Sequence, residues 1–286
     1  MAHTQMIGVV GAGVMGAGIA QVFAHAGMFR VALCDLTDEQ VQRGYDTIRR
    51  GFLKMVSKEK MSKTDMEEAL ARIQCTTDLT ELAECSLVIE AVTEQLPVKR
   101  TILLKLEEVL PSQAVIASNT STIPITEIAA AAEFPQRVIG MHFFNPAPVM
   151  KLVEVTQALQ TDSTVVERVQ DVAEQIGKTV VVSKDSTGFI VNRLLLPMVN
   201  EAIFLLSEGV AVKEDIDAAM KLGAAHPMGP LALADLIGLD VSLSIMETLY
   251  ADTGDPKYRP APLLRRYVQA GKLGRKTGEG FFVYTS

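Results

Sequence analysis

His142 and Glu154 are the first residues whose types and spacing suggest proton chemistry. His142 ends the apolar run Val138-Ile139-Gly140-Met141, and twelve positions on Glu154 interrupts Leu152-Val153-Glu154-Val155. A lone carboxylate in an apolar strand is costly to bury unless something pairs with it. If the two side chains face each other, the carboxylate accepts the Nδ1 proton and fixes the ring tautomer, leaving Nε2 to take a proton from a substrate hydroxyl. The competing reading is a structural histidine at a strand end and a glutamate on a solvated face. The residues alone leave both open. No metal site is expected, because the four histidines (His3, His25, His142 and His226) show neither HxH nor HExxH spacing, and no GxSxG elbow points to a serine hydrolase.

A second cluster lies near the N-terminus. Gly11-Ala12-Gly13-Val14-Met15-Gly16 follows an apolar strand and opens a helical pattern running to about Ala26. In such a strand-to-helix turn the first glycine allows the tight turn and the second lets the backbone approach a pyrophosphate. The third lets the helix pack closely on the strand, while the helix N-terminus offers N–H donors. The next strand ends in Asp35, where a carboxylate can bind both ribose hydroxyls of an adenosine and repel a 2′-phosphate. No arginine follows in Leu36-Thr37-Asp38, so NAD is predicted over NADP. A glycine-rich turn without a cofactor is the plainer alternative.

These residues need a scaffold. Short β-branched runs alternate with longer helical patterns through the first two-thirds of the chain, which predicts βαβ units and a mostly parallel, doubly wound α/β sheet. The candidate strands are 6–10, 30–34, 73–76, 87–90, 115–118, 138–141, 152–156 and 179–182. Ser62 with Asp65 reads as a capping box, and Pro97 suits a first helical turn. After about Gly188 the period changes to 3.6 residues, with Val191, Leu194, Leu195, Met198, Val199, Ala202, Leu205 and Leu206 on one face. The domains are therefore expected at 1–187 and, all-helical, at 188–286.

Composition agrees with this class. A chain of 286 residues, 48% hydrophobic and 21% charged, is long enough for two cores. A net charge of -7 disfavours nucleic acid and anionic membrane surfaces as partners. Cys34, Cys75 and Cys85 form no CxxC and leave one unpaired, which suits a reducing, cytoplasmic location. No charged residue lies between Met6 and Ala24, a length near that of a membrane span, but the five glycines there fit the nucleotide turn better. No basic leader precedes the first strand, so a signal peptide is not expected.

Ala117-Ser118-Asn119-Thr120-Ser121, Met141-His142-Phe143-Phe144-Asn145-Pro146, Gly188-Phe189-Ile190-Val191-Asn192-Arg193 and Leu273-Gly274-Arg275-Lys276-Thr277-Gly278, taken with the Gly11 fingerprint, resemble the 3-hydroxyacyl-CoA dehydrogenase family. The resemblance spans nearly the whole chain and is strongest to the bacterial 3-hydroxybutyryl-CoA members. It implies a cleft site in which His142 is the general acid/base, oriented by Glu154. Ser121 and Asn192 would hydrogen-bond the substrate's C3 oxygen and the neighbouring thioester region. It also implies that Glu94, Lys99, Asn145 and Lys276 surround the nicotinamide half of NAD, and that the chain forms a homodimer through its helical domain. On the residues alone, Ser121 is a turn or cap residue before Pro124, and Asn192 an ordinary first-turn helix residue.

In the family a proline commonly precedes the Gly-Phe pair. Here Thr187 stands there, losing the fixed φ and adding a donor, which is expected to loosen the hinge. Seven basic residues against two acidic ones between Arg43 and Lys63 make that segment +5, a dock for the phosphates of an acyl-CoA centred on Arg50 and Lys54. A solvated basic helix face is the alternative. The other functional readings are a dehydrogenase of a free 3-hydroxy acid or sugar acid, and an NAD(H)-sensing protein without turnover.

Overall fold

β-branched runs bounded by glycine, proline and polar clusters become the strands of one sheet in the computed structural model, which describes residues 5–284. His3 lies outside the described residues. In chain order the strands are β1 (Gln5–Val10), β2 (Phe29–Cys34), β3 (Ile73–Thr76), β4 (Leu87–Glu90), β5 (Val115–Ser118), β6 (Val138–Phe143), β7 (Leu152–Gln157) and β8 (Thr179–Lys184). Their spatial order is β3-β2-β1-β4-β5-β6-β7-β8, parallel throughout except where β7 runs against β6. The order reverses beside β1, the switch point at which open α/β sheets bind ligands.

The helices of this unit are α1 (Val14–Ala26), α2 (Asp38–Ser57), α3 (Lys63–Ala71), α4 (Leu96–Val109), α5 (Ile125–Ala129) and α6 (Ser163–Gln175). Ile7, Val9, Ile19, Phe23, Phe29 and Leu33 belong to its buried core. Buried apolar area of this kind contributes roughly 25 cal/mol per Å² to stability. The uncharged stretch from Met6 to Ala24 is divided between β1 and α1, and among the described residues no helix is long and apolar enough to cross a membrane. Ser62 and Asp65 form the expected reciprocal capping box on α3, and Pro97 lies in the first turn of α4. Three strands outrun their expected ends, β7 by one residue and β6 and β8 by two. β6 continues to Phe143, because Phe143 still pairs with Val153, and β8 continues to Lys184 opposite Gln157.

The first unit ends at Ser186 and the second begins at Thr187, one residue earlier than the sequence suggested. The second comprises α7 (Val191–Ser207), α8 (Lys213–Gly223), α9 (Pro230–Ile237), α10 (Leu239–Thr253) and α11 (Pro262–Gln269), packed around Ile203, Leu231, Leu264 and Phe281. Thr187 is buried and its hydroxyl donates to Asp252 on α10. The donor that replaces proline is thus used to anchor the opening residue within the helical unit. The chain end is held by Asp235, whose buried carboxylate accepts the N–H groups of Phe281 and Phe282 and the hydroxyl of Tyr284 at 2.8–3.0 Å. Gly274 is the one residue type that fits beside it: its φ is +96°, and a Cβ there would lie 2.3 Å from the Asp235 carbonyl oxygen.

Candidate active site

The glycine turn has the geometry of an anion cradle. Gly11 takes a φ of +101°. A Cβ on Gly16 would lie 1.7 Å from the Gly11 carbonyl oxygen, so the third glycine admits α1 to the turn itself more than to the strand. A Cβ on Gly13 would meet no protein atom within 4 Å, and the first turn of α1 carries neither an acidic residue nor a side-chain cap. That leaves a positive helix end suited to a pyrophosphate. Asp35 accepts the Ala12 N–H at 2.6 Å and the Leu36 N–H at 2.7 Å. A carboxylate has about four acceptor positions, so two are left for ribose hydroxyls. Asp35 lines a hollow of about 290 Å³ together with Gly13, Gln40, Arg43 and Thr47. Gly44 brings α2 there, since a Cβ on it would meet Ala12 at 2.7 Å. The residues present therefore fit an adenosine dinucleotide. Arg43 reaches this hollow from α2, which no reading of the residues next to Asp35 could have found.

His142 and Glu154 are brought together. They are direct cross-strand partners in the antiparallel β6–β7 ladder, so both side chains leave the same face of the sheet. His142 Nδ1 lies 2.8 Å from Glu154 Oε2, with His142 4% and Glu154 1% exposed. Burial without a partner would cost the carboxylate several kcal/mol, and the imidazole N–H offsets that cost. With Nδ1–H donated to Glu154, Nε2 is the nitrogen that carries the lone pair. The Phe144 ring lies 4.5 Å from the imidazole, centroid to centroid.

A second carboxylate network builds the loop that carries Ser121. Glu90, at the end of β4, accepts from the Ser118 hydroxyl at 2.7 Å and from Lys99 Nζ at 2.9 and 3.1 Å. Lys99 is 1% exposed and also lies 3.3 Å from Glu94. One oxygen of Glu94 accepts four donors: the Thr120 hydroxyl, the Ser121 and Thr122 N–H groups and the Thr122 hydroxyl, at 2.5–3.1 Å. Burial pushes the Glu94 carboxyl up, but the Lys99 ammonium and these donors outweigh it and hold it below the usual carboxylate range. The turn-forming hydroxyl here is that of Thr120, which accepts from Thr122 and Ile123, whereas Ser121 sits half-exposed beside it. Asn119 joins this loop to β6 by accepting the Phe143 N–H at 2.8 Å. Glu90, Ser118, Asn119 and Thr120 were not singled out from sequence. Only their place at the ends of β4 and β5 could have suggested them.

The remaining candidates lie on other segments of the two units. Asn145 is exposed in the segment after β6, and it precedes a cis Pro146. Asn192 is buried in the first turn of α7, in the helical unit. Lys276, also in the helical unit, is ion-paired to Asp240 at 2.6 Å. Arg50 and Lys54 are exposed on α2, and Arg50 donates to Thr47.

Comparison with known proteins agrees with this architecture. A family model described as "3-hydroxyacyl-CoA dehydrogenase, NAD binding domain" matches residues 6–186, and one described as "3-hydroxyacyl-CoA dehydrogenase, C-terminal domain" matches residues 188–284. The 3-hydroxybutyryl-CoA dehydrogenase of Bradyrhizobium diazoefficiens is 51% identical, over 97% of this chain and 94% of its own. The human mitochondrial hydroxyacyl-coenzyme A dehydrogenase is 42% identical, over 96% of this chain and 90% of its own. The crystal structure of (S)-3-hydroxybutyryl-CoA dehydrogenase from Ralstonia eutropha superposes with a TM-score of 0.95 at 48% identity, covering 99% of this chain and 100% of that one. By sequence over its full described length and by fold, this chain belongs to the 3-hydroxyacyl-CoA dehydrogenase family.

Proposed function

We propose that this chain is an NAD-dependent dehydrogenase that transfers hydride reversibly between C3 of a short-chain (S)-3-hydroxyacyl-CoA, such as 3-hydroxybutyryl-CoA, and NAD. The observation that carries the reading is the buried His142–Glu154 pair on a sheet whose first turn fits a dinucleotide. Bound NAD supplies the hydride acceptor. His142 Nε2 takes the proton of the C3 hydroxyl during oxidation and returns it during reduction. Glu154 holds the tautomer and stabilises the imidazolium that forms. Ser121 and Asn192, in the roles carried over from the family resemblance, donate to the C3 oxygen and the neighbouring thioester region, where charge develops. On the same grounds Glu94, Lys99, Asn145 and Lys276 serve the nicotinamide half of NAD. For Glu94 and Lys99 the network around Ser121 supports that placement, since it ties them to the ends of β4 and β5.

All seven basic residues from Arg43 to Lys63 are exposed, which supports this surface as the dock for the coenzyme A phosphates. The helical unit exposes Leu194, Val210, Leu222, Leu236 and Tyr250, and such apolar surface supports a homodimer formed through it. Three free cysteines suit the cytoplasm.

NADH oxidation tests the reading with three acceptors. Turnover with acetoacetyl-CoA and little with free acetoacetate is expected. Preference for the free acid would make the chain a dehydrogenase of free hydroxy acids, and NADH binding without turnover a sensor. In the same assay, Arg50→Glu with Lys54→Glu should raise KM for acetoacetyl-CoA about tenfold and leave KM for NADH unchanged. Equal effects would move the dock elsewhere. Light scattering should give the mass of a dimer at micromolar protein, and a monomer would refute pairing.

A further inference from the structure

Lys178, between α6 and β8, is 9% exposed, and burial pushes its ammonium pKa down with no carboxylate to raise it again. Its Nζ donates to the carbonyl oxygens of Ala147 at 2.6 Å and Met150 at 2.7 Å. Those carbonyls belong to the turn after β6, in which the N–H groups of Val149 and Met150 both reach back to the Pro146 carbonyl. These two amides thus have a partner inside the turn, whereas the Ala147 and Met150 carbonyls are met by Lys178. On its other side the turn is pressed against α1. A Cβ on Gly18 would lie 3.2 Å from the Ala147 Cβ and 3.4 Å from the Pro148 Cδ. Lys178 therefore clamps this turn onto the helix whose N-terminus forms the dinucleotide cradle, and Asn145 heads the clamped segment.

We infer that Lys178 is a positioning residue for the cofactor: it holds Asn145 at a fixed place relative to the α1 cradle without touching NAD itself. This rests on the proposed role of Asn145 at the nicotinamide half. A buried cation held only by two carbonyls is a costly way to close a surface turn, and apolar packing would close it as well if position did not matter.

Lys178→Met, which keeps the stem and removes the donors, and Lys178→Arg, which keeps donors, test the inference. NADH Kd by fluorescence titration should rise about tenfold in Lys178→Met, the scale of one lost buried hydrogen bond, with KM for acetoacetyl-CoA changed less than about twofold. Lys178→Arg should recover most of the NADH affinity. Unchanged NADH Kd in a folded Lys178→Met protein, or equal rises for NADH and acetoacetyl-CoA, would overturn the positioning role. Should Lys178→Met lack a thermal transition, Lys178→Gln, with one amide donor, reads the same ratio and is expected to fall between wild type and a tenfold loss. Wild-type protein that binds NADH but does not reduce acetoacetyl-CoA would break the proposed substrate and leave this inference standing.

Discussion

The His142–Glu154 pair and the Glu94 clamp both place a carboxylate near the carboxyl ends of one sheet, but they hold it by opposite means. Glu154 is set by backbone register: the β6–β7 ladder makes it the cross-strand partner of His142, and the side-chain contact between them follows from that register. Glu94 lies outside any strand and is set by side chains, with four donors gathered on one oxygen and Lys99 on the other. A ladder tolerates loss of a side chain without moving its backbone. A loop tied through one oxygen depends on that side chain for its shape. The first arrangement should therefore lose chemistry and keep its backbone in place when mutated, whatever the buried group left behind costs in stability, and the second should lose some chemistry and some of the loop's shape.

The sharpest test is His142→Ala. Losing the acid/base should lower kcat by about 10³-fold, within the usual span for general acid–base catalysis, while NADH Kd changes little and stability falls by about 1–3 kcal/mol because the buried Glu154 carboxylate loses its imidazole donor. A drop beyond that range would mean that the ladder does not hold the pair by itself. Glu154→Gln comes next: an amide keeps an acceptor for Nδ1–H but loses the charge that steadies the imidazolium, so kcat should fall about 10²-fold with the fold intact. Glu154→Ala, read by denaturant unfolding, should add about 1–3 kcal/mol of destabilisation, because it leaves a buried imidazole N–H without its acceptor.

The smallest expected effect distinguishes the loop. Glu94→Gln should cost about 1 kcal/mol in unfolding experiments near neutral pH, discounted for the partial exposure of the side chain. Its signature is the pH dependence. The Glu94 carboxyl is held below its ordinary range, so its contribution is present above the unfolded-state value and is lost as pH falls through the lowered folded value. The acid limb of wild-type stability should therefore be steeper than that of Glu94→Gln. Parallel acid limbs would remove the charge from the account of this loop and erase the contrast with Glu154.

What could be read from the chain divides along the same line. The strands declared themselves within a residue or two, because β-branched runs and turn residues are local signals. β6 ran longer than expected because its last pairing, Phe143 with Val153, is made by a strand ten residues away. His142 and Glu154 were visible as residue types, yet their facing each other depends on an antiparallel register that no local pattern encodes. The Glu90–Lys99–Glu94 network joins β4, α4 and the loop after β5, with Ser118 lying 28 residues from the carboxylate it meets; the resemblance named Glu94 and Lys99 and quoted Ser118, but no spacing showed that they meet. Beside Ser121, which the residues alone suggest as a turn or cap residue, the Thr120 hydroxyl accepts the N–H groups of Thr122 and Ile123. For Thr187 the hydroxyl's partner, Asp252, lies 65 residues away, beyond any local pattern.

The strand that runs against β6 has a further consequence for inheritance. Because β6 and β7 are consecutive, the proton-handling histidine and the carboxylate that orients it lie in one short continuous stretch of gene. Recombination between related genes, with crossovers anywhere outside that stretch, hands both on as a unit. The nucleotide cradle and the helical unit can thus be exchanged among relatives while the two partners stay matched.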